Sequence, residues 1–200
     1  MPPELYYLSN FHKGLHWLVE RYADLLDDRE HAFIERFQTL AQASQALLVR
    51  MIMRKGPHFR ASRLVYPEIG CARAAAMPLL EAGWLDDRAP LNLAELFEQL
   101  RKDELTRHLP AARPHARLKK QELFERLAPQ HTAALPLSEW CPELGEPLFS
   151  LSIGELCERL RLLFFGNLRQ DWSEFVLTDL GIFRYERVEI GPEARGFRCR

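Results

Sequence analysis

Apolar residues recur along most of this chain at three-and-four spacing, and the place where that rule breaks marks its organising element. From Ala43 to Tyr66 the sequence reads ASQALLVRMIMRKGPHFRASRLVY. Ala46, Leu47, Leu48, Val49, Met51, Ile52 and Met53 cover nearly every direction around a helix. Such a helix belongs in the middle of a core. Arg50 and Arg54, four residues apart, project from one edge of it. Lys55-Gly56-Pro57 ends it, with a cation at the C-terminus and a Gly-Pro stop. Upstream, Leu15, Leu18, Tyr22 and Leu25 predict a helix, with Leu5 to Phe11 as an arm across the core. Asp27-Asp28-Arg29-Glu30 opens a second helix, acids placed where the dipole favours them. Phe33, Ile34, Phe37 and Leu40 form its apolar face.

Downstream, Val65 to Gly70 predicts a short helix with Pro67 in its first turn. Pro78 is tolerated in a first turn, so the next helix is expected to begin between Ala75 and Met77. Gly83 closes it and Trp84-Leu85 starts an extended segment. That rhythm matches the end of a winged helix-turn-helix; a small helical bundle would read the same way. Residues 91–109 read as helices, Pro110 to Pro114 as a break, and 115–127 as a basic loop leading into a further helix. Residues 129–147, rich in proline and turn formers, read as a linker. Ser152 and Glu155 are spaced as a capping box before a helix faced by Leu156, Leu160, Leu163 and Phe164 and ended by Gly166-Asn167. A helix over 172–180 and an alternating strand over 183–190 complete the prediction.

Composition bounds the class. The 200 residues are 47% hydrophobic and 28% charged, with a formal net charge of -1, as in ordinary globular proteins. No global excess of positive charge points to a polyanion, so such a site has to be local. Two local windows qualify. No acid occurs between Glu35 and Glu68, while Arg36, Arg50, Arg54, Lys55, Arg60 and Arg63 do. None occurs between Glu104 and Glu122, where Arg107, Arg113, Arg117, Lys119 and Lys120 fall. In the second window a basic loop feeds a helix N-terminus, which aims cations and backbone N–H groups at one place, as a phosphate requires. Ordinary solvated surface charge is the alternative for both.

Enzymatic motifs are missing from the sequence. Cys71, Cys141, Cys157 and Cys199 form no CxxC pair and no zinc-ligand spacing, and they read as reduced thiols. A restriction-type nuclease site needs Glu or Gln two places before its lysine; the five lysines have Phe11, Met53, Leu100, Arg117 and Leu118 there. No histidine lies in HExxH and no serine in GxSxG. No catalytic residue and no metal ligand is therefore assigned. MPPELYYLSNF has neither a charged n-region nor a long apolar run, so no signal peptide or membrane span is expected, and a cytoplasmic location is.

Several blocks, in order, carry a resemblance. They are Tyr7-x-x-Asn10-Phe11, Arg21-Tyr22-x-Asp24-Leu25-Leu26, Leu48-Val49-Arg50-Met51-x-x-Arg54-Lys55, Leu64-x-Tyr66-x-Glu68-Ile69 and Leu79-x-x-Ala82-Gly83-Trp84-Leu85. Lys120-x-Glu122-Leu123-x-x-Arg126-Leu127 is similar to the second helix of SAP motifs, although the usual glycine before it is replaced near Leu118 or Lys119. Phe149 to Phe165 and Val176-x-x-x-Leu180-Gly181 follow. Together they resemble the N-terminal half of the Fanconi-associated nuclease family, closest to its bacterial members.

The resemblance implies a mainly α fold with minor β: a winged-helix-like domain over 1–90, a SAP-like helix-loop-helix over 91–130, and a linker with the start of a TPR-type helical domain over 131–200. It implies the DNA-binding half of a structure-selective 5′-flap endonuclease and 5′-to-3′ exonuclease acting in cross-link repair. The partners implied are branched or 5′-flap duplex DNA and a C-terminal virus-type replication-repair nuclease domain lying beyond this chain. Mg or Mn is expected in that domain and no cofactor here, and the bacterial nucleoid is the expected place of work. The chain is accordingly expected to be part of a longer enzyme. Arg50, Arg54, Lys55, Arg60 and Arg63, with Arg113, Arg117, Lys119 and Lys120, are the expected phosphate contacts. A winged-helix regulator and a helical interaction module without catalysis are the alternatives. The first is disfavoured by Ala74, Ala75, Ala76, Met77 and Pro78, which stand where base-reading side chains are needed.

Overall fold

The computed structural model describes residues 5–167 and 169–176. In chain order the elements are α1 (Tyr6–Tyr22), α2 (Asp28–Thr39), α3 (Gln42–Ile52), β1 (His58–Arg60), α4 (Ala72–Glu81), β2 (Leu85–Asp86), α5 (Leu93–Gln99), α6 (Lys102–His108), α7 (Lys120–Leu127), α8 (Leu137–Trp140), β3 (Leu148–Leu151), α9 (Gly154–Phe165) and α10 (Trp172–Val176). Short 3₁₀ turns occupy Ala61–Arg63, Pro110–His115, Ala128–Gln130 and Pro142–Leu144. The expected mainly helical fold with minor β is present. The chain divides into two compact units, each assembled from separate stretches: 1–56, 66–82 and 153–200 in one, 57–65 and 83–152 in the other. The three successive spans drawn from the sequence cut across this division.

In the first unit α3 is the buried centre. Its residues from Ser44 to Val49 are all buried, as is Met51. α1 packs on α3, α9 and α10, and α3 packs on α4. Leu5 to Phe11 is not a separate arm; it begins α1, and Tyr7, Leu8 and Phe11 face the core. α2 starts at the acidic stretch expected to open it, and a capping box closes its first turn. The Asp27 carboxylate accepts from the Glu30 N–H at 2.8 Å, and the Glu30 carboxylate accepts from the Asp27 N–H at 2.7 Å.

Three local expectations fail for identifiable reasons. Val65 to Gly70 forms a single turn, in which the Tyr66 carbonyl accepts from the N–H groups of Ile69 and Gly70. Proline after Tyr66 disfavours helical backbone there, so the turn is not extended. α4 begins at Ala72, which leaves Pro78 in its interior. The carbonyl that Pro78 cannot satisfy belongs to Ala74, an exposed residue, so water can serve it. Ser152 does not cap α9: its N–H extends the sheet to the Trp84 carbonyl at 3.0 Å, and Ile153 takes the cap position. Two helix ends follow the sequence as expected, Gly83 at φ 71° and Gly166 at φ 69°, where a side chain would be strained.

The second unit holds a three-stranded antiparallel sheet in the order β1-β3-β2. Phe59 lies opposite Phe149, and Leu85 opposite Leu151. Its central strand, β3, is not foreseen from the sequence. Its helical core comprises Leu91, Leu96, Leu105, Leu109, Leu123 and Leu127 with neighbours. The stretch read as a linker is packed structure. Leu135 bridges Leu91, and the buried Trp140 donates its indole N–H to the Leu91 carbonyl at 2.8 Å. Of the predicted last helix only Trp172–Val176 is described; the rest of it and the strand over 183–190 lie outside the described residues.

Candidate nucleic-acid interface

The first basic window is divided by the boundary between the two units, which falls between Gly56 and Pro57. Arg50, Arg54 and Lys55 belong to one unit, and Arg60 and Arg63 to the other. Arg50 sits in the last turn of α3 and is held from three sides. It donates to Glu68 Oε1 at 2.6 Å, lies 4.0 Å above the Tyr7 ring and 4.9 Å from the centre of the Tyr66 ring. Tyr66 also carries Arg54, whose guanidinium is 5.6 Å from the ring centre. Cation–π contact of this kind fixes a long side chain without neutralising it. Burial disfavours the charge of Glu68, but the hydrogen bonds from Arg50 and Tyr7 outweigh it and hold the carboxyl below its usual range. Arg54 and Lys55 are exposed.

Arg60 is a correction. It is 5% exposed and inside the second unit, not on its rim. Its guanidinium pairs with Glu104 Oε1 at 2.8 Å and with Glu146 Oε2, and it donates to the Gln99 carbonyl at 3.3 Å. All three partners are distant in sequence, so spacing could not reveal them. Burial opposes ionisation of Arg60, Glu104 and Glu146 alike. The mutual hydrogen bonds prevail, raising the arginine and lowering both carboxyls. Arg63 is exposed and donates to the same Gln99 carbonyl at 2.7 Å.

The second basic window forms one local assembly. Leu123 and Leu127 of α7 are buried against the unit's core, as a helix-loop-helix requires. Lys119 occupies the N-cap of α7, and its backbone N–H donates to Glu122 at 2.9 Å. That bond secures the helix start without the glycine usual in such motifs, and it leaves the Lys119 ammonium outside. Arg117, Lys119 and Lys120 are exposed around this N-terminus and make no ion pair among the described residues. Arg113 is also exposed, pairing with Glu143 at 2.6 Å and donating to the Arg107 carbonyl at 3.2 Å. Such an exposed pair is weak and exchanges readily for another anion.

Among the described residues no group of three His, Cys, Asp or Glu side chains could hold a metal ion, and no helix is long and apolar enough to cross a membrane.

Comparison with known proteins matches two successive stretches of the chain. The family model for the FAN1 HTH domain matches residues 5–86, and that for the Fanconi anemia-associated nuclease SAP domain matches residues 90–140. The Pseudomonas aeruginosa Fanconi-associated nuclease 1 homolog is 54% identical over 200 residues, the whole of this chain. The chain belongs to the Fanconi-associated nuclease family. It spans 36% of the length of that bacterial relative. The Fanconi-associated nuclease 1 homolog of Arabidopsis thaliana is 31% identical over 92% of this chain and 22% of its own length. A crystal structure of paFAN1 bound to 5′-flap DNA with a gap, bearing a 2-nucleotide flap, matches the fold with a TM-score of 0.91 over the whole chain and 36% of its own. Within this family the HTH match runs through both compact units, and the SAP match lies inside the second.

Proposed function

We propose that this chain is the DNA-engaging part of a structure-selective nuclease that acts on 5′-flap and related branched duplexes. The observation that carries this reading is the match, at 54% identity and a TM-score of 0.91, to paFAN1 bound to 5′-flap DNA. Arg54, Lys55 and Arg63 would meet phosphates from the helix-turn-helix region, and Arg113, Arg117, Lys119 and Lys120 from the SAP region. Arg50 would act from beneath, through Tyr66 and Glu68. These contacts are to backbone charge, so binding is independent of sequence and falls with salt. The exposed face of α4 carries Ala74 and Met77 and no amide side chain, and Arg73 is its one basic group.

The cleavage chemistry belongs to the remaining length of the family's enzymes. Metal dependence on Mg or Mn, a virus-type replication-repair nuclease domain, 5′-to-3′ exonuclease action, cross-link repair and work at the bacterial nucleoid are part of the same proposal. No catalytic step is assigned to the described residues, among which no group of three His, Cys, Asp or Glu side chains could hold a metal ion.

The test is a titration of this chain with fluorescent 5′-flap DNA and a matched plain duplex, without divalent metal, at two salt concentrations. Tighter flap binding that weakens steeply with salt is expected. No binding at low salt would assign recognition to the rest of the enzyme. Strong preference for one duplex sequence would favour a regulator instead.

A further inference from the structure

Arg60 and two residues just after it, Ser62 and Arg63, share one set of acceptors. Glu146 uses one oxygen for the Arg60 guanidinium and the other for the Ser62 N–H, at 2.8 Å. Glu104 gives Oε1 to Arg60 and Oε2 to the Arg101 N–H at the start of α6, at 2.8 Å. The Gln99 carbonyl, one of the carbonyls left unsatisfied at the C-terminus of α5, takes N–H groups from both Arg60 and Arg63. Arg60 at +1 stands between two carboxylates at −2. Arg101, whose Nε lies 3.6 Å from Glu104 Oε2, is a second cation on that carboxylate, so among these groups it is Glu146 that depends on Arg60 for its counter-ion.

We infer that Arg60 is a positioning residue: with Glu104, Glu146 and the Gln99 carbonyl it forms a rigid mount that presents the Arg63 guanidinium at the surface for a phosphate. The inference rests on the DNA-binding reading above. Arginine loses much rotamer freedom when it docks on a ligand. Here Gln99 imposes that loss at folding, so Arg63 meets a phosphate already oriented. With Arg60 removed, Glu146 lacks its counter-ion while Glu104 keeps Arg101, and Arg63 turns down toward Glu146.

The test uses the 200-residue chain with Arg60→Met, Arg63→Ala and both together. Duplex affinity in metal-free buffer is read at several salt concentrations, with a thermal melt for each variant and the ¹⁵N NMR signal of Arg63 Nε–H. Arg60→Met is expected to bind about fivefold more weakly, the size of one charge-assisted contact. It should lower the salt slope as much as Arg63→Ala, and the double variant should lose little more. The Arg63 Nε–H signal, ordered in the wild type, should become mobile.

Glu146→Ala is the second variant, should Arg60→Met fail to fold. It adds positive net charge, so bulk attraction alone predicts tighter binding, whereas loss of the mount predicts weaker binding. Tighter or unchanged binding by Glu146→Ala would overturn the proposal, as would an Arg63 signal unmoved in folded Arg60→Met. A wild-type chain that ignores DNA while its Arg63 signal still depends on Arg60 would overturn the DNA reading alone.

Discussion

Arg50 and Tyr7 share one acceptor: both donate to Oε1 of Glu68, at 2.6 and 3.1 Å, while the guanidinium lies 4.0 Å above the phenol ring. Burial pushes the Tyr7 hydroxyl well above its usual range, so it stays a donor at every working pH. The three groups fix the end of α3, and Arg54 lies against the Tyr66 ring that Arg50 also touches.

Removing the acceptor should therefore be worse than removing the neutral donor. Glu68→Ala leaves a largely buried cation unpaired and is expected to cost roughly 2–3 kcal/mol. Tyr7→Phe loses a neutral donor and should cost about 1 kcal/mol. Urea unfolding measures both; equal costs would mean that Glu68 does not hold Arg50.

The carboxyls of Glu68, Glu104 and Glu146 all titrate below the ordinary value of 4.5. A depressed carboxyl contributes stability that is complete above the unfolded-state pKa and lost as pH falls through the folded one. The melting temperature should be flat above about pH 5 and fall steeply below the ordinary carboxylate value. Glu104→Gln should flatten part of that fall. A melting temperature that holds through pH 3 would contradict the paired arrangement.

Leu123 is fully buried in the core of the second unit. Leu123→Ala is expected to destabilise by roughly 3 kcal/mol. Faster amide exchange across 91–140 would follow if that unit opens by itself. A cost below about 1 kcal/mol, as for surface residues, would show that α7 is not packed as described.

Lys119→Ala and Lys120→Ala should each reduce the slope of log affinity against log salt by roughly 1, equally for any duplex sequence. Arg113→Ala should change it less, because part of that charge is already opposed by Glu143 at 2.6 Å. Duplex titrations over a salt series decide this; slopes unchanged in both lysine variants would remove the α7 N-terminus from the interface.

Much of the helical layout was legible because its signals are local. The acid-rich start of α2, the apolar run of α3, the Gly83 and Gly166 stops, and Leu123 with Leu127 on one face each depend on residues within a few positions of one another. β3 was not legible. Four residues carry too little periodicity, and its partners are Phe59 and Leu85, far away in sequence. The reading of 129–147 as a linker failed because proline and turn residues say nothing of whether Trp140 will find the Leu91 carbonyl.

The basic windows show the same limit at the candidate site. The sequence by itself determined where the cations cluster, since acid-free stretches and the helix start at Lys120 are properties of neighbouring residues. It also determined the family, through the order of short blocks. Only the tertiary structure decided which cations face solvent. Arg60 and Arg63 are three residues apart and alike in chemistry, yet one is buried between Glu104 and Glu146 and the other is exposed. That difference arises from carboxylates brought in from remote parts of the chain. A buried charge survives where such partners meet it, and their meeting is a property of the fold.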